Sequence, residues 1–339
     1  MTRRSIDDVA ALAGVSIKTV SRVLNDEPGV RPATRERVEQ AIRTLNYRPS
    51  LAARSLAGKH SSLIGLLYEN PSANYVFDLQ SGAIARCRES DQHLFIQSCN
   101  DLGDRMIDEV LAMVEQTHVD GLVVTAPLSA NHRLIAALDQ RDILFVRVAP
   151  DDLDHRSPSV EMDDRAAAAE MTRHLVELGH RRIAFILGHP AHYSSRLRFA
   201  GFNSAVAESG LDPSQQSFEQ GFNTTDSGLE AGLRLLDRPD RPTAIFASND
   251  DMAAGAILAA HRLGLDVPRD ISITGFDDSQ LASVVWPPLT TIHQPTYDMC
   301  YTATGLLIDL IKGSRVESRI LCSHRMVVRH STAPPRRPE

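Results

Sequence analysis

The chain has 339 residues, of which 42 % are hydrophobic and 23 % charged, and a formal net charge of −7. This is the composition of a globular protein of roughly two or three domains, and the absence of any run of about 18 apolar residues excludes a membrane-spanning helix. The opening MTRRSIDD has no apolar stretch, so no secretory signal is expected and the location expected is cytoplasmic, on the nucleoid wherever the chain holds DNA. Cys87, Cys99, Cys300 and Cys322 are scattered without CxxC spacing, which points to reduced thiols rather than a disulfide framework or a zinc site. The 13 histidines show no HExxH-like spacing, so no metal is expected. Charge is uneven: residues 1–60 hold 11 basic and 6 acidic side chains, the remainder 25 and 37. A basic head on an acidic body suits a nucleic-acid binder with a separate regulatory domain.

Ser5 and Asp8 form an S-x-x-D capping box that should start a helix. Ile6, Val9, Ala10 and Ala13 then share one helical face. Gly14 ends the helix, where a positive φ costs nothing. Ser16 caps a second helix with Val20, Val23 and Leu24 turned inward. Helix, glycine turn and helix make the helix-turn-helix pattern. Ile17, Lys18, Ser21, Arg22 and Asn25 are left facing out, a set of apolar, cationic and amide side chains suited to a major groove. The competing reading is an ordinary helical hairpin in a core. Arg35, Val38, Ala41, Ile42 and Leu45 predict a third amphipathic helix that closes a small head. Pro49 breaks it, and Ser50 can cap a segment from Leu51 to Ala57 that ends at Gly58. Seven residues are too few for an isolated helix in water, so this segment can fold only when docked.

The phrases IDDVAALAGVS, TVSRVLN, NYRPS and ARSLAGK resemble the headpiece and hinge of the lactose-repressor/galactose-repressor (LacI/GalR) family. The resemblance implies a DNA-binding headpiece over residues 1–47 and a hinge helix with its linker over 48–60. It implies a two-lobed effector-binding and dimerisation domain over 61–330. DNA contacts are then expected at Ser5, Ser16, Ile17, Lys18, Thr19, Ser21, Arg22, Asn25, Tyr47, Ala53 and Leu56. Leu56 matches the family position whose side chain wedges between the central base pairs of the operator. Such a wedge unstacks one step, at a cost of a few kcal/mol recovered by added contact.

From Ser62 the pattern changes to short apolar strands at 63–68, 94–97, 121–124 and 143–146, then at 183–187, 244–247 and 271–274, with helices such as 166–178 between them. Near-continuous apolar strands joined by helices predict parallel sheets covered on both faces. The fold class is therefore α/β: a three-helix head and a core of two Rossmann-like lobes, with a ligand site beyond the carboxyl ends of the strands. LVELGHRRIAFI, RLRFAGF, RPTAIFASNDDMAAGA, VPRDISITGFDD and PPLTTIHQP extend the resemblance. They imply the fold of periplasmic sugar-binding proteins, the chain crossing between lobes three times. The first lobe should take about 61–160 and 290–319, the second about 161–289 and 320–330. The tail STAPPRRPE, residues 331–339, reads as disordered.

By the resemblance Arg198 grips the effector, and Asn249 and Asp277 read hydroxyls or ring nitrogens. Tyr75, Ser194 and Asn223 complete the expected pocket. An Arg fork, an amide and a carboxylate suit vicinal sugar hydroxyls, which both donate and accept. Arg198 can instead bridge Asp277, and Asn249 can simply cap the helix after it. Purine-responsive relatives carry an aromatic ring and an Arg where this chain has Asn223 and His192, which favours a carbohydrate. Phe222, one position earlier, keeps a purine as the alternative. Arg147 can serve an acidic or phosphorylated sugar or a surface ion pair, and Trp286 can anchor a subunit interface or fill a core. The expected function is a homodimeric, effector-controlled transcription repressor whose two heads sit one helical turn apart on a palindromic operator. No cofactor and no catalytic residue is expected. A sugar-binding transport component gives the basic head no role. An enzyme on a Rossmann-type fold lacks its signals here: there is no GxGxxG after the first strand, no P-loop and no supported Ser/His/Asp set.

Overall fold

The computed structural model describes residues 5–24, 27–47, 61–99, 102–151 and 157–336. The hinge expected over 48–60, with Ala53 and Leu56, lies outside the described residues, as does Asn25.

The head is built from α1 (Ile6–Ala13), α2 (Ile17–Leu24) and α3 (Pro32–Leu45). The capping box is reciprocal: Ser5 Oγ accepts from the Asp8 amide at 3.3 Å, and Asp8 Oδ2 accepts from the Ser5 amide at 2.8 Å. Gly14 turns the chain at φ 62°. Pro32 opens α3 at the position where its missing N–H costs nothing. Val9, Val20 and Val38 are fully buried at the centre of the head, with Ala10, Ala13, Val23, Ala41 and Tyr47 around them.

The strands of the body, in chain order, are β1 (Leu63–Tyr68), β2 (His93–Ser98), β3 (Gly121–Thr125), β4 (Phe145–Val148), β5 (Ser159–Met162), β6 (Ile183–Leu187), β7 (Ser217–Gln220), β8 (Ala244–Ala247), β9 (Ser272–Thr274), β10 (Thr291–His293), β11 (Arg319–Cys322) and β12 (Arg325–Val327). The helices are α4 (Ala73–Glu89), α5 (Asp104–Thr117), α6 (His132–Asp139), α7 (Asp164–Glu177), α8 (Tyr193–Glu208), α9 (Thr225–Leu236), α10 (Asp250–Arg262), α11 (Gln280–Val284) and α12 (Thr296–Ile311). One parallel sheet runs β11-β5-β4-β3-β1-β2 and a second runs β7-β6-β8-β9. They are the two lobes. β10 and β12, on either side of β11 in the chain, pair as a separate two-stranded antiparallel ribbon. The core does not stop at the lobe boundary. One apolar cluster joins Ile64, Leu79 and Val123 of the first lobe through Met171 and Ile292 to Phe185, Phe202 and Phe246 of the second. Each fully buried side chain of this size stabilises by about 1.5–3 kcal/mol.

Four expectations are corrected. The last crossing comes later than 319: β11 pairs in parallel with β5, Ile320 opposite Val160, and so belongs to the first lobe. Residues 325–327 pair with β10 instead of joining the second sheet. The fourth strand starts at Phe145 rather than Ile143, because Asp142 turns the chain at φ 53° just before it. The tail is ordered as far as residue 336. Ser331 is fully buried, its hydroxyl donating to Ile273 O at 2.6 Å and accepting from the Thr290 amide at 2.8 Å. Non-local hydrogen bonds hold this proline-rich segment, and composition does not report them.

Candidate functional site

Two surfaces carry the expected contacts. On the head, Ile17 is 47 % exposed and Lys18 is exposed beside it at the start of α2. Ser16 Oγ accepts from the Thr19 amide at 3.2 Å and so caps this helix. Ser21 is half-buried. Arg22 is also half-buried, and its guanidinium is engaged: Nε reaches Glu27 Oε2 at 3.2 Å and Nη2 donates to Pro28 O at 2.8 Å. It braces the turn that follows α2. Tyr47 is 7 % exposed and packs in the head's core, so its ring is not part of the open face. Ser5 is exposed, with its hydroxyl committed to the capping box.

The second surface is a cleft between the lobes, open to solvent, with about 450 Å³ of space not filled by atoms. Residues that follow the carboxyl ends of strands line it: Asn70 and Ser72 after β1, Ala126 after β3, Asn223 after β7, Asn249 after β8 and Asp277 after β9. All six expected pocket residues, Tyr75, Ser194, Arg198, Asn223, Asn249 and Asp277, are brought together here. Arg198 is the hub. Its Nε donates to Asp164 Oδ1 at 2.7 Å, Nη1 to Ser248 O at 2.6 Å and Nη2 to Gln294 Oε1 at 2.8 Å. Asp277 Oδ1 lies 3.7 Å from Nη1, and the guanidinium carbon sits 3.6 Å above the centroid of Phe276. The bridge to Asp277 exists but is secondary to the one with Asp164.

Asn249 holds two jobs. Its Oδ1 caps α10 by accepting from the Met252 amide at 2.9 Å, and its Nδ2 donates to Asn223 O at 3.2 Å. Asn223 stands at φ 61° with Oδ1 accepting from the His189 amide at 3.1 Å. Asp277 stands at φ 115°, a conformation an L residue keeps only where its surroundings enforce it. Its amide donates to Ile292 O at 2.8 Å, and its carbonyl accepts from the Gln294 amide at 3.1 Å. Burial pushes the Asp277 carboxyl well above the usual range, against the pull of Arg198. Asp164 is raised for the same reason, and burial lifts the Tyr75 hydroxyl too. Burial thus works against the charged form of these groups, while Arg198 pulls both carboxyls the other way.

Across the cleft, Ser72 Oγ donates to Asp251 Oδ2 at 2.6 Å. His192 Nε2 faces Glu69 Oε2 at 3.5 Å, and both atoms are buried without a hydrogen-bond partner among the described residues. Sequence reasoning missed Asp164 and Gln294, which bond Arg198 from 34 and 96 residues away; Gln294 also lines the cleft. Gln294 had one signal, its place beside a proline in the family phrase IHQP. Arg147 is buried, donates from Nε to Ser157 Oγ at 2.9 Å, and is not among the residues lining the cleft. Phe222 is 47 % exposed and also stands off it. Among the described residues no group of three or more His, Cys, Asp or Glu side chains is placed to hold a metal, and no helix is long and apolar enough to cross a membrane.

Comparison with known proteins decides the family. Residues 5–50 match the bacterial regulatory proteins of the lacI family, and residues 172–332 match the periplasmic binding protein-like domain. Catabolite control protein A of Priestia megaterium is 33 % identical over 97 % of this chain and 99 % of its own. The chain belongs to the lacI family. The HTH-type transcriptional repressor PurR of Proteus mirabilis is 35 % identical over 97 % of each chain. The lac repressor dimer bound to operator and the anti-inducer ONPF superposes with a TM-score of 0.85 at 30 % identity, over 98 % of this chain and all of that one. The transcriptional regulator CelR in its cellobiose complex gives 0.73 at 29 %, over 97 % of this chain and all of that one. As a lacI-family member the chain is a DNA-binding transcription regulator, and the fold, head and two-lobed core alike, is that of the lac repressor.

Proposed function

We propose that the chain is a homodimeric repressor that holds a palindromic operator through its two heads and tunes that hold by a sugar-like effector bound between the lobes. The observation that carries the effector class is the polar cleft lined by Asn70, Ser72, Asn223, Asn249 and Asp277, with Arg198 already satisfied by protein groups. A small polyol exchanges hydrogen bonds with such a wall in both directions, whereas a saturated guanidinium offers little to a phosphate. The CelR–cellobiose likeness supports this reading, and the PurR relatives support a purine as the second. On the head, Ile17 and Lys18 read base edges while Arg22 braces the turn beside a phosphate. Leu56 is the wedge. Trp286, 78 % exposed and so no core residue, together with exposed Val284, Phe77 and Tyr297, supports pairing of subunits. No catalytic step is assigned to the cleft, and the setting proposed is the cytoplasm. The test is thermal melting against neutral sugars, sugar phosphates and purines. A neutral sugar at about 100 times its Kd should stabilise by about 2.7 kcal/mol. A shift with purines alone would move the effector to that class.

A further inference from the structure

The end of the second lobe opposite the cleft carries another concavity, of about 620 Å³, at the amino-terminal ends of β6, β8 and β9. Its rim holds four guanidinium groups, Arg182, Arg241, Arg269 and Arg336, and one carboxylate, Asp270, with the Asp266 carboxylate paired to Arg269 beside it. The Asp270 carboxylate is already shared. Oδ1 accepts from Arg336 Nη1 at 3.0 Å, and Oδ2 accepts from the Asp266 amide at 2.9 Å and lies 3.4 Å from Arg269 Nη2. Arg182 and Arg241 are exposed and have no acidic partner within ion-pair distance among the described residues.

The concavity is held from beneath by a neutral group. His180 is 1 % exposed. Its Nε2 lies 3.0 Å from Ala333 O, which can only accept, so Nε2 carries the proton. Nδ1 then accepts from the Thr243 hydroxyl at 2.9 Å. Burial holds this imidazole down at about 4, so it adds no charge at neutral pH. The tail that brings Pro335 and Arg336 to the rim is fastened by the same residues: the Ala333 amide donates to Ser272 Oγ at 3.0 Å. Arg336 is thus delivered by a packed segment.

Four cations against two carboxylates, Asp266 engaged by Arg269 and Asp270 by Arg269 and Arg336, stand out on a body whose residues beyond 60 hold 25 basic and 37 acidic side chains. We propose that this rim binds a small phosphorylated molecule, its phosphate oxygens taken by the forks of Arg182 and Arg241 and flanked by Arg269 and Arg336. Guanidinium forks match phosphate oxygens two at a time, which a point charge does not. The concavity exceeds a single phosphate ion, leaving space for an organic group against Pro242 and Pro335. The site is independent of the effector cleft, so either can exist without the other. Because the arginines are exposed, binding is modest and weakens with salt.

Isothermal titration of the full-length protein with pyrophosphate at low ionic strength tests this. One saturable site per chain is expected, weakened at least about tenfold in an Arg182→Ala/Arg241→Ala double variant. Arg105→Ala, an exposed arginine of the first lobe, should leave it unchanged. If the double variant melts early, Arg336→Ala is read in its place and should also weaken binding. No saturable binding, binding untouched by the rim substitutions, or an equal loss in Arg105→Ala overturns the proposal.

Discussion

Arg198 shows how one side chain can be both structure and sensor. It and Asp164 are buried together, and its donors tie Asp164, Ser248 and Gln294 from three separate stretches of the chain to one group. Removing one partner of a buried pair leaves the other uncompensated, which costs about 3–5 kcal/mol. Arg198→Ala should therefore lower the urea midpoint as well as abolish the effector response; a variant of native stability would show that Asp164 is not held as described. Lys18 is the opposite case, exposed and without structural duty. Lys18→Ala should keep native stability and change the preferred operator bases, at about 1–3 kcal/mol for a lost base contact. An unchanged preference in a binding-site selection would remove it from the reading face. The cleft residues were legible through the resemblance, in phrases such as RLRFAGF, FASND and TGFDD. Asp164 and Gln294 were not, since only tertiary folding brings them to Arg198. Tyr47 was expected at the DNA through the resemblance alone, and nothing in the sequence signals that its ring packs into the head's core.

At the level of elements, the long periodic segments were legible and the short ones were not. The three helices of the head follow from apolar spacing, the Ser5 box and Gly14. The ribbon of β10 and β12 has three residues a strand, too few for alternation to register, and its partners are 34 residues apart. β11 has four residues with alternating burial and joins whichever lobe offers an edge; β5 offers one. Close helix packing was equally invisible. α9 and α10 meet through Gly228 and Gly255, where a Cβ added at Gly255 would stand 2.1 Å from Thr225 O. Gly255→Ala gains up to about 1 kcal/mol of helix propensity, yet that backbone contact cannot yield without parting the helices. The net effect should be destabilising, read by thermal melting; a raised melting temperature would show that α9 and α10 separate freely.

The whole molecule couples a basic head to a body whose buried carboxyls resist ionisation. Burial raises Asp250 to about 7, although Ser279 and Thr291 donate hydrogen bonds to it. Its unfolded value is near 3.9. Between these values the folded state keeps a proton that the unfolded state has lost, so stability falls as pH rises from about 4 to about 7. Asp250→Asn should flatten that slope in urea titrations; an equal slope in both proteins would assign it elsewhere. The head explains DNA binding only if its cations meet phosphates, and the cleft explains regulation only if a solute changes that meeting. The most direct measurement is the affinity of the purified protein for palindromes from its own genomic neighbourhood, across salt concentrations, with and without the sugar that raises its melting temperature. The expected result is tight binding to one palindrome that falls steeply with salt and shifts at least about fivefold with the sugar. Salt-insensitive or absent binding to every such palindrome, in either condition, would contradict the account.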